Sequence, residues 1–574
     1  MLQDFTGLKK NLKKDFSKFR KIKIAVLGDS ATQFLTVALK GHGYEVGFDF
    51  DLFEADYDQI ELQVFDPQSD LYKANPDFIV LFCSVQKLKK KFYKSDKSAK
   101  LAFSDSYIRW VESIQAAISG RLSAKIICLN FPELNDSVFG NFANKTELSF
   151  VYQLRTINYS LMNLAVKLKN IFICDVCAMQ SYYGRKFMFD PNMYMSADMV
   201  FSLDFLPVLA KNISDIVLSV TGVFKKCLIL DLDNTMWGGI IGDDGLENIQ
   251  LGDLGTGKAF TELQLWAKQL KERGIILAVC SKNNEAAAKE PFESHPDMVL
   301  RLGDIAVFVA NWNNKADNIR YIQNILNIGF DSMVFLDDNP FERNLVRTNI
   351  PQITVPELSE NPGEYLEYLQ TLNLFETASF SQEDEIRTQH YQDEAKRAVA
   401  LTNFTDENEF LASLQMVSTV KPFDKFTMPR VSQLSQRSNQ FNLRTVRYTE
   451  AEIEKIAQAE EYITASFTLV DKYGDNGLIC MLVLKQYPAD ILFIETWLMS
   501  CRVLKRGMEN FTLNAIVGIA KERGIKKIVG EYLPTAKNGM VKDHYLNLGF
   551  TRKGDLWELE TQSYHEKEGF ISRQ

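Results

Sequence analysis

Short apolar runs alternate with amphipathic stretches along most of this chain. From Lys21, the runs KIKIAVLGDS, DFIVLFCS, AKIICLNF and NIFICDV read as buried parallel strands, and SYIRWVESIQAAIS between them has helical spacing. The segment LDFLPVLAKNISDIVLSVTG, apolar at every third or fourth position, reads as a helix closing this first α/β unit of about 200 residues. A second unit starts at Lys225: strand KKCLILD, helix GKAFTELQLWAKQLKERG, strand IILAVCS, helix NNEAAAKEPFES and strand MVFLDD. After about Leu374 comes a polar, helical bridge, SQEDEIRTQHYQDEAKRAVAL. A third region follows with strands ITASFTLVD, LICMLVLKQ and ILFIETWLM, helix GMENFTLNAIVGIAKERG, a last strand and the ending DHYLNLGF.

A chain of 574 residues is too long for one core. At ~100–200 residues per domain it divides into three or so, with expected bounds 1–220, 221–375 and 376–574. The expected class is α/β throughout. With 46% hydrophobic and 24% charged residues the composition is that of a globular protein. A formal charge of -9 argues against a general nucleic-acid binder. No apolar run approaches the ~20 residues of a membrane span, and MLQDFTGLKKNLKKDF lacks a signal-peptide core. Eight scattered cysteines suggest free thiols in a reducing, cytoplasmic setting.

The chemistry concentrates in the second unit. In an open α/β sheet, ligands sit beyond the carboxyl ends of the strands. Four polar groups fall there: the pair Asp231 and Asp233, Ser281 closing ILAVCS, Lys315 in NWNNKADN, and Asp337 with Asp338 closing MVFLDD. Carboxylates converging with one lysine make a hard, oxygen-lined site suited to Mg²⁺. A carboxylate beside a cation and an ammonium stays ionised and can attack phosphorus. The spacing leaves about 45 residues between Thr235 and Ser281 and about 20 between Lys315 and Asp337, too few for a separate cap domain. An uncapped site admits a large, tethered substrate.

DLDNT, Ser281, Lys315 and the acidic pair, in that order, resemble the haloacid dehalogenase superfamily. The resemblance implies that Asp231 is the nucleophile and that Asp233 protonates the leaving group and activates water. It also implies that Thr235, Ser281 and Lys315 contact substrate, and that Asp231, Asp233, Asp337 and Asp338 surround the metal, with Asp338 a direct ligand. The longer stretches LDLDNTMWGGIIGDDGL, LAVCSKNN, NWNNK, VFLDDNPFER, DKYGDNGLI, LMSCRVLKRGMEN, PTAKNGMV and YLNLGF resemble the FkbH-like family, from about Lys225 to Gly549. That resemblance implies transfer of a three-carbon unit from 1,3-bisphosphoglycerate, removal of phosphate, and loading of a glyceryl group on a phosphopantetheinylated acyl carrier protein. The alternative is a Mg²⁺ phosphatase acting on another phosphorylated metabolite or tethered group, without thioester chemistry. A non-enzymatic scaffold is a third reading, which the intact constellation disfavours.

ILFIETWLM followed by SCRVLKRGMEN and a helix resembles the pyrophosphate loop of N-acetyltransferase-like folds, although it departs from the usual R-x-x-G-x-G/A spacing. Arg502 and Arg506 near that helix start would favour an anionic phosphopantetheine. Cys501, opening the basic loop, is the candidate acyl-carrying thiol. Cys280 is a weaker candidate because strand alternation turns it away from Ser281. His544 is a candidate base. In the first unit, Gly28, Asp29 and Ser30 resemble the nucleophile block of SGNH esterases, in a sheet of flavodoxin-like type. No histidine lies between His42 and the end of that unit, so a docking or positioning domain is expected there rather than an esterase. GDLGTGKA has Ala259 where a P-loop needs Ser or Thr. CDVC, at Cys174 and Cys177, lacks a second pair for zinc. KLKKKFYK reads as a solvated face or a docking patch for an acidic carrier.

Overall fold

A computed structural model describes residues 2–574 apart from 381–383, 385–386, 402–403, 439, 488–489 and 536, with 398–399 described in backbone only. The chain divides into two compact units, Met1–Leu218 and Ser219–Gln574.

The first unit holds five parallel strands: β1 (Arg20–Gly28), β2 (Phe48–Glu54), β3 (Phe78–Phe82), β4 (Lys125–Leu129) and β5 (Ile171–Cys174), in the order β2-β1-β3-β4-β5. This is the flavodoxin-like order. β3 is buried at all five positions, as a central strand covered on both faces must be. β2 is the element that apolar runs do not reveal. Its sequence, FDFDLFE, alternates apolar with acidic, and it lies at the sheet edge with six of its seven residues only partly buried. Charges at an edge strand cost little and discourage pairing with another chain.

The second unit carries two sheets. One is parallel, with β6 (Cys227–Leu230), β7 (Ile276–Ser281), β8 (Ile305–Ala310) and β9 (Met333–Leu336) in the order β8-β7-β6-β9. All four residues of β6 have no exposed surface, so whatever follows Leu230 is delivered from a rigid, dry strand. β8 is again an edge strand. The other sheet contains β10 (Met416–Ser418), β11 (Val420–Lys421), β12 (Tyr462–Asp471), β13 (Gly474–Tyr487), β14 (Ile491–Met499), β15 (Lys527–Glu531), β16 (Thr551–Lys553), β17 (Leu556–Glu560) and β18 (Ile571–Arg573). Three strands therefore follow the one expected to be last. β14 and β15 are parallel and paired only from Ile491 to Phe493, after which they diverge.

Of the polar bridge expected at 381–401, residues 381–383 and 385–386 lie outside the described residues, and Arg387–Leu401 is a helix packed between the two sheets. Its Tyr391 enters the core beneath β7 and β8, and Gln392 donates to the Ile305 carbonyl at 2.9 Å. Buried ion pairs account for the polarity of its other contacts. Arg397 Nε lies 2.9 Å from Asp471 Oδ2 and Arg506 Nη1 lies 3.1 Å from the same oxygen. The fully buried Asp471 carboxylate also accepts from the Tyr473 amide, closing the β12–β13 turn. Removing one partner of a buried pair strands the other charge. Asp471→Ala is therefore expected to destabilise the second unit by about 3–5 kcal/mol, read as a lower urea midpoint for that unit with the first unit's transition unmoved.

Candidate active site

β6 ends at Leu230, and the Asp231 amide donates to the Leu336 carbonyl of β9 at 2.9 Å, which fixes the carboxylate at the strand end. The chain then turns sharply. Asn234 adopts a left-handed φ of 54°, and the Thr235 and Met236 amides both donate to the Leu232 carbonyl. The buried Trp237 indole closes the turn by donating to Asp233 Oδ1 at 2.9 Å.

Lys315 reaches the same point from the far side of the sheet. It is the first residue of the helix Lys315–Leu326, which Asn314 caps, and it is 3% exposed. Its ammonium lies 2.9 Å from Asp231 Oδ1 and 2.6 Å from Asp337 Oδ2. Burial alone would lower its pKa, but the two carboxylates outweigh burial and hold the ammonium charged. Asp337 and Asp338 follow β9. Arg343, 3% exposed, grips both their carbonyls at 2.9 and 2.6 Å and is itself held by Glu357.

Carboxylate oxygens of Asp231, Asp337 and Asp338 lie within 4.8 Å of one another. Burial first, and then the charge of Asp231, push the Asp337 carboxyl up to about 7 against the pull of Lys315; the same two causes raise Asp338. Three carboxylates around one ammonium carry excess negative charge, and all their ligand atoms are hard oxygens. This donor set fits a divalent cation of the Mg²⁺ type.

Two side chains do something other than expected. Asp233 stands outside the cation-sized cluster. Its Oδ1 accepts from Trp237 and from the Ile241 amide, and its Oδ2 accepts from Asn283 Nδ2 at 2.7 Å. These three donors engage both of its oxygens, and among the described residues the cation-sized cluster holds Asp231, Asp337 and Asp338 without it. Thr235, expected against substrate, is fully buried, and its hydroxyl accepts from the Asp338 amide at 3.1 Å. It shapes the metal loop. Ser281 closes β7 and is buried, two residues beyond the Leu230–Val279 pairing. Asn283 and Arg343 are the residues that motif reading passed over; they stand in SKNN and NPFER, beside the motif residues rather than in them.

Cys501, Arg502 and Arg506 lie elsewhere. Cys501 shares a cavity with Lys226 and Ile276, which stand at the opposite, N-terminal ends of β6 and β7. Asp231 lies five positions beyond Lys226, or ~16 Å at ~3.3 Å per residue. Arg506, expected to meet a phosphopantetheine, is committed to Asp471 and Glu394. Cys280 is buried in the core, as alternation requires, and burial raises its thiol. His544 is buried between Phe441 and Trp497, and burial pulls it down to about 3, which leaves it neutral and only weakly basic.

Residues 23–218 match the family model described as FkbH, N-terminal domain. The N-terminal part of the protein BF1531 from Bacteroides fragilis, solved as a phosphatase-domain-containing part complexed with Mg, is 53% identical. The match covers 66% of this chain and 100% of that one, with a TM-score of 0.64. This chain belongs to the FkbH-like family. None of the curated proteins matches it. The ribosomal-protein-S18-alanine N-acetyltransferase of Escherichia coli matches 26% of the FkbH-like chain and 99% of its own at 16% identity, TM-score 0.20. The spermidine N-acetyltransferase of Vibrio cholerae matches 26% and 97% at 13% identity, TM-score 0.21.

Two features of this FkbH-like protein bear on the remaining expectations. The gap where β14 and β15 diverge is filled by its own chain: Leu443 donates to Trp497 and Met499 to Phe441 on the β14 side, and Leu533 donates to Leu443 on the β15 side. In the first unit, the Ser30 hydroxyl donates to Asp29 at 2.8 Å, and Lys87, not a histidine, approaches the Asp29 carbonyl. His42 is buried, and burial followed by the charge of Lys211 pulls it down to about 4.

The raised Asp337 carboxyl sets a pH signature. Its folded value of about 7 lies above the ~3.9 of an unfolded aspartate. Its contribution to stability is therefore complete below about pH 4 and is lost as pH rises through about 7. A cation binds the deprotonated form, so Mg²⁺ should raise the melting temperature more at about pH 8 than at about pH 5.5. Equal shifts at both would mean that Asp337 is ionised throughout.

Proposed function

We propose that this protein is a Mg²⁺-dependent phosphatase coupled to glyceryl transfer. It would take a (phospho)glyceryl group from 1,3-bisphosphoglycerate, remove phosphate, and load the product on a phosphopantetheinylated acyl carrier protein in the cytoplasm. The observation that carries the phosphatase half is Lys315 held between Asp231 and Asp337 with Asp338 alongside, at the carboxyl ends of β6 and β9. Family membership carries the glyceryl half.

In this reading Asp231 Oδ attacks phosphorus. The Oδ–P bond forms, the P–O bond to the leaving group breaks, and the leaving oxygen takes a proton from Asp233. Water then attacks the aspartyl-phosphate, giving its proton to Asp233 and releasing phosphate and free Asp231. Asp231, Asp337 and Asp338 would hold Mg²⁺, which supplies charge neutralisation at the phosphoryl oxygens. Lys315 and Ser281 bind those oxygens. Asn283 and Trp237 hold Asp233 in place for both proton transfers. Two helices, Ile241–Asp244 and Gly255–Glu272, the strand β7 and short turns fill the span between Thr235 and Ser281, which leaves the site open to a group tethered to a carrier protein.

For acyl transfer, the Cys501 sulfur attacks the carbonyl carbon of the mixed anhydride. The S–C bond forms, the C–O bond to phosphate breaks, phosphate departs with the electron pair, and the thiol proton goes to solvent. The location of Cys501 at the other end of β6 favours one second reading, a phosphatase without thioester chemistry.

Intact-protein mass spectrometry after incubation with Mg²⁺ and 1,3-bisphosphoglycerate separates the two. A glyceryl adduct on the wild type, a phosphoglyceryl adduct on Asp231→Asn and none on Cys501→Ala is the expected result. Phosphate release with no adduct on any variant would leave the second reading. In steady-state assays Asp231→Asn should lose about 10⁴-fold or more in kcat, the scale on which removal of a nucleophile acts.

A further inference from the structure

A cavity of about 270 Å³ lies where the N-terminal ends of β6 and β7 meet the end of β14. That volume is near the lower end of small-molecule sites, ~300 Å³. Its walls carry six cations: Lys226, Arg387, Arg430, Arg437, Arg502 and Lys537. Among the described residues only one lining group, Asp331, is a carboxylate, and it pairs with Lys537. Asp384, behind the wall, pairs with Arg387 and Arg437.

Two of the cations face neutral partners. Lys226 Nζ donates to the Arg437 carbonyl at 2.9 Å. Arg502 is 7% exposed and donates to His390, to Ser500 Oγ at 3.3 Å and to the Asn476 carbonyl at 3.2 Å. Cations gathered in a partly dry space repel one another, and that arrangement is costly unless an anion joins them. The titration of Lys226 agrees: burial first, then repulsion by Lys537, Arg387 and Arg437, pull it down to about 8. Planar guanidinium groups beside an ammonium are the usual equipment for gripping a phosphate. Cys501 and Tyr391 line the same cavity.

We propose that this cavity is a second phosphate site, one that binds a small phosphate ester with Lys226, Arg430 and Arg502 around the phosphate and the Cys501 thiol at its wall. It is separate from the Asp231 centre, ~16 Å away along β6, and it would bind with Asp231 disabled and no metal present. A phosphate held here is beyond the reach of the nucleophile, so the chain can retain a phosphorylated group without hydrolysing it. The walls add Ile276, Phe441 and Met499, apolar groups that suit a short carbon skeleton attached to the phosphate.

The test uses the full chain carrying Asp231→Asn, in EDTA, with inorganic phosphate and 3-phosphoglycerate as probes. Calorimetry should give saturable binding, and mass spectrometry should show 3-phosphoglycerate slowing iodoacetamide alkylation of Cys501. Lys226→Met should weaken binding between about tenfold and a hundredfold, the worth of one charge-assisted hydrogen bond, while Lys226→Arg retains it. Arg430→Gln should weaken it as well, and serves if Lys226→Met fails to fold by circular dichroism. Absence of binding to Asp231→Asn, or binding unchanged in both Lys226→Met and Arg430→Gln, would overturn the proposal. Loss of phosphate release in Asp231→Asn speaks only to the phosphatase reading, so the two fail separately.

Discussion

Lys315 is an ammonium with almost no contact with water, suspended between Asp231 and Asp337 at 2.9 and 2.6 Å. A charge in that position is tolerable only while both carboxylates stay in place. The four parallel strands keep them there. β6 and β9 pair from Cys227–Met333 to Leu230–Leu336, so their carboxyl ends emerge side by side, and the helix after β8 brings its first residue across to meet them. Arg343 clamps the loop after β9 and Thr235 anchors it to the turn after β6. The hydrophobic core below fixes strand height and the polar residues above fix orientation. The excess negative charge that remains is what a divalent cation would neutralise.

β6 is thereby a strand with two differently charged ends. Its carboxyl end delivers Asp231 into a ring of acids, and its amino end begins at Lys226 in a ring of bases. The end of β14 and the turn after it contribute Met499, Ser500, Cys501 and Arg502 to the basic end. The Asn327 side chain donates to the Cys501 carbonyl at 2.9 Å, which joins the loop after β14 to the end of the Lys315 helix. The helix Arg387–Leu401 ties the two sheets together from beneath. This is why they form one compact unit although each has its own core.

Much of this was legible along the chain because buried parallel strands are continuous apolar runs. CLIL, ILAVCS and MVFL stand out for that reason, and the carboxylates that follow them mark where the sheet ends. The edge strands β2 and β8 escaped notice for different reasons. FDFDLFE alternates with acids, while IAVFVA sits between loops without a carboxylate to draw attention to its end. The helix Arg387–Leu401 reads as a polar bridge because of its composition, yet its Arg397 is buried against Asp471 from a distant strand. No local pattern encodes such pairing. Arg506 shows the same thing: a basic loop before a helix looks like an anion site until Asp471 and Glu394, brought in by tertiary structure, occupy it. Thr235 was legible as a motif residue but not in its contact with the Asp338 amide, since side-chain direction after a left-handed residue at Asn234 cannot be read from spacing.

The central claim is that Asp231 accepts the phosphoryl group. The most direct measurement is to quench the protein during turnover with Mg²⁺ and a phosphorylated substrate, reduce it with borohydride, and sequence the peptide spanning Cys227–Gly239 by mass spectrometry. An acyl-phosphate at Asp231 is reduced to homoserine, so homoserine at position 231 and nowhere else in the peptide is the predicted result. Unmodified Asp231 in protein that is releasing phosphate under the same conditions would contradict the account.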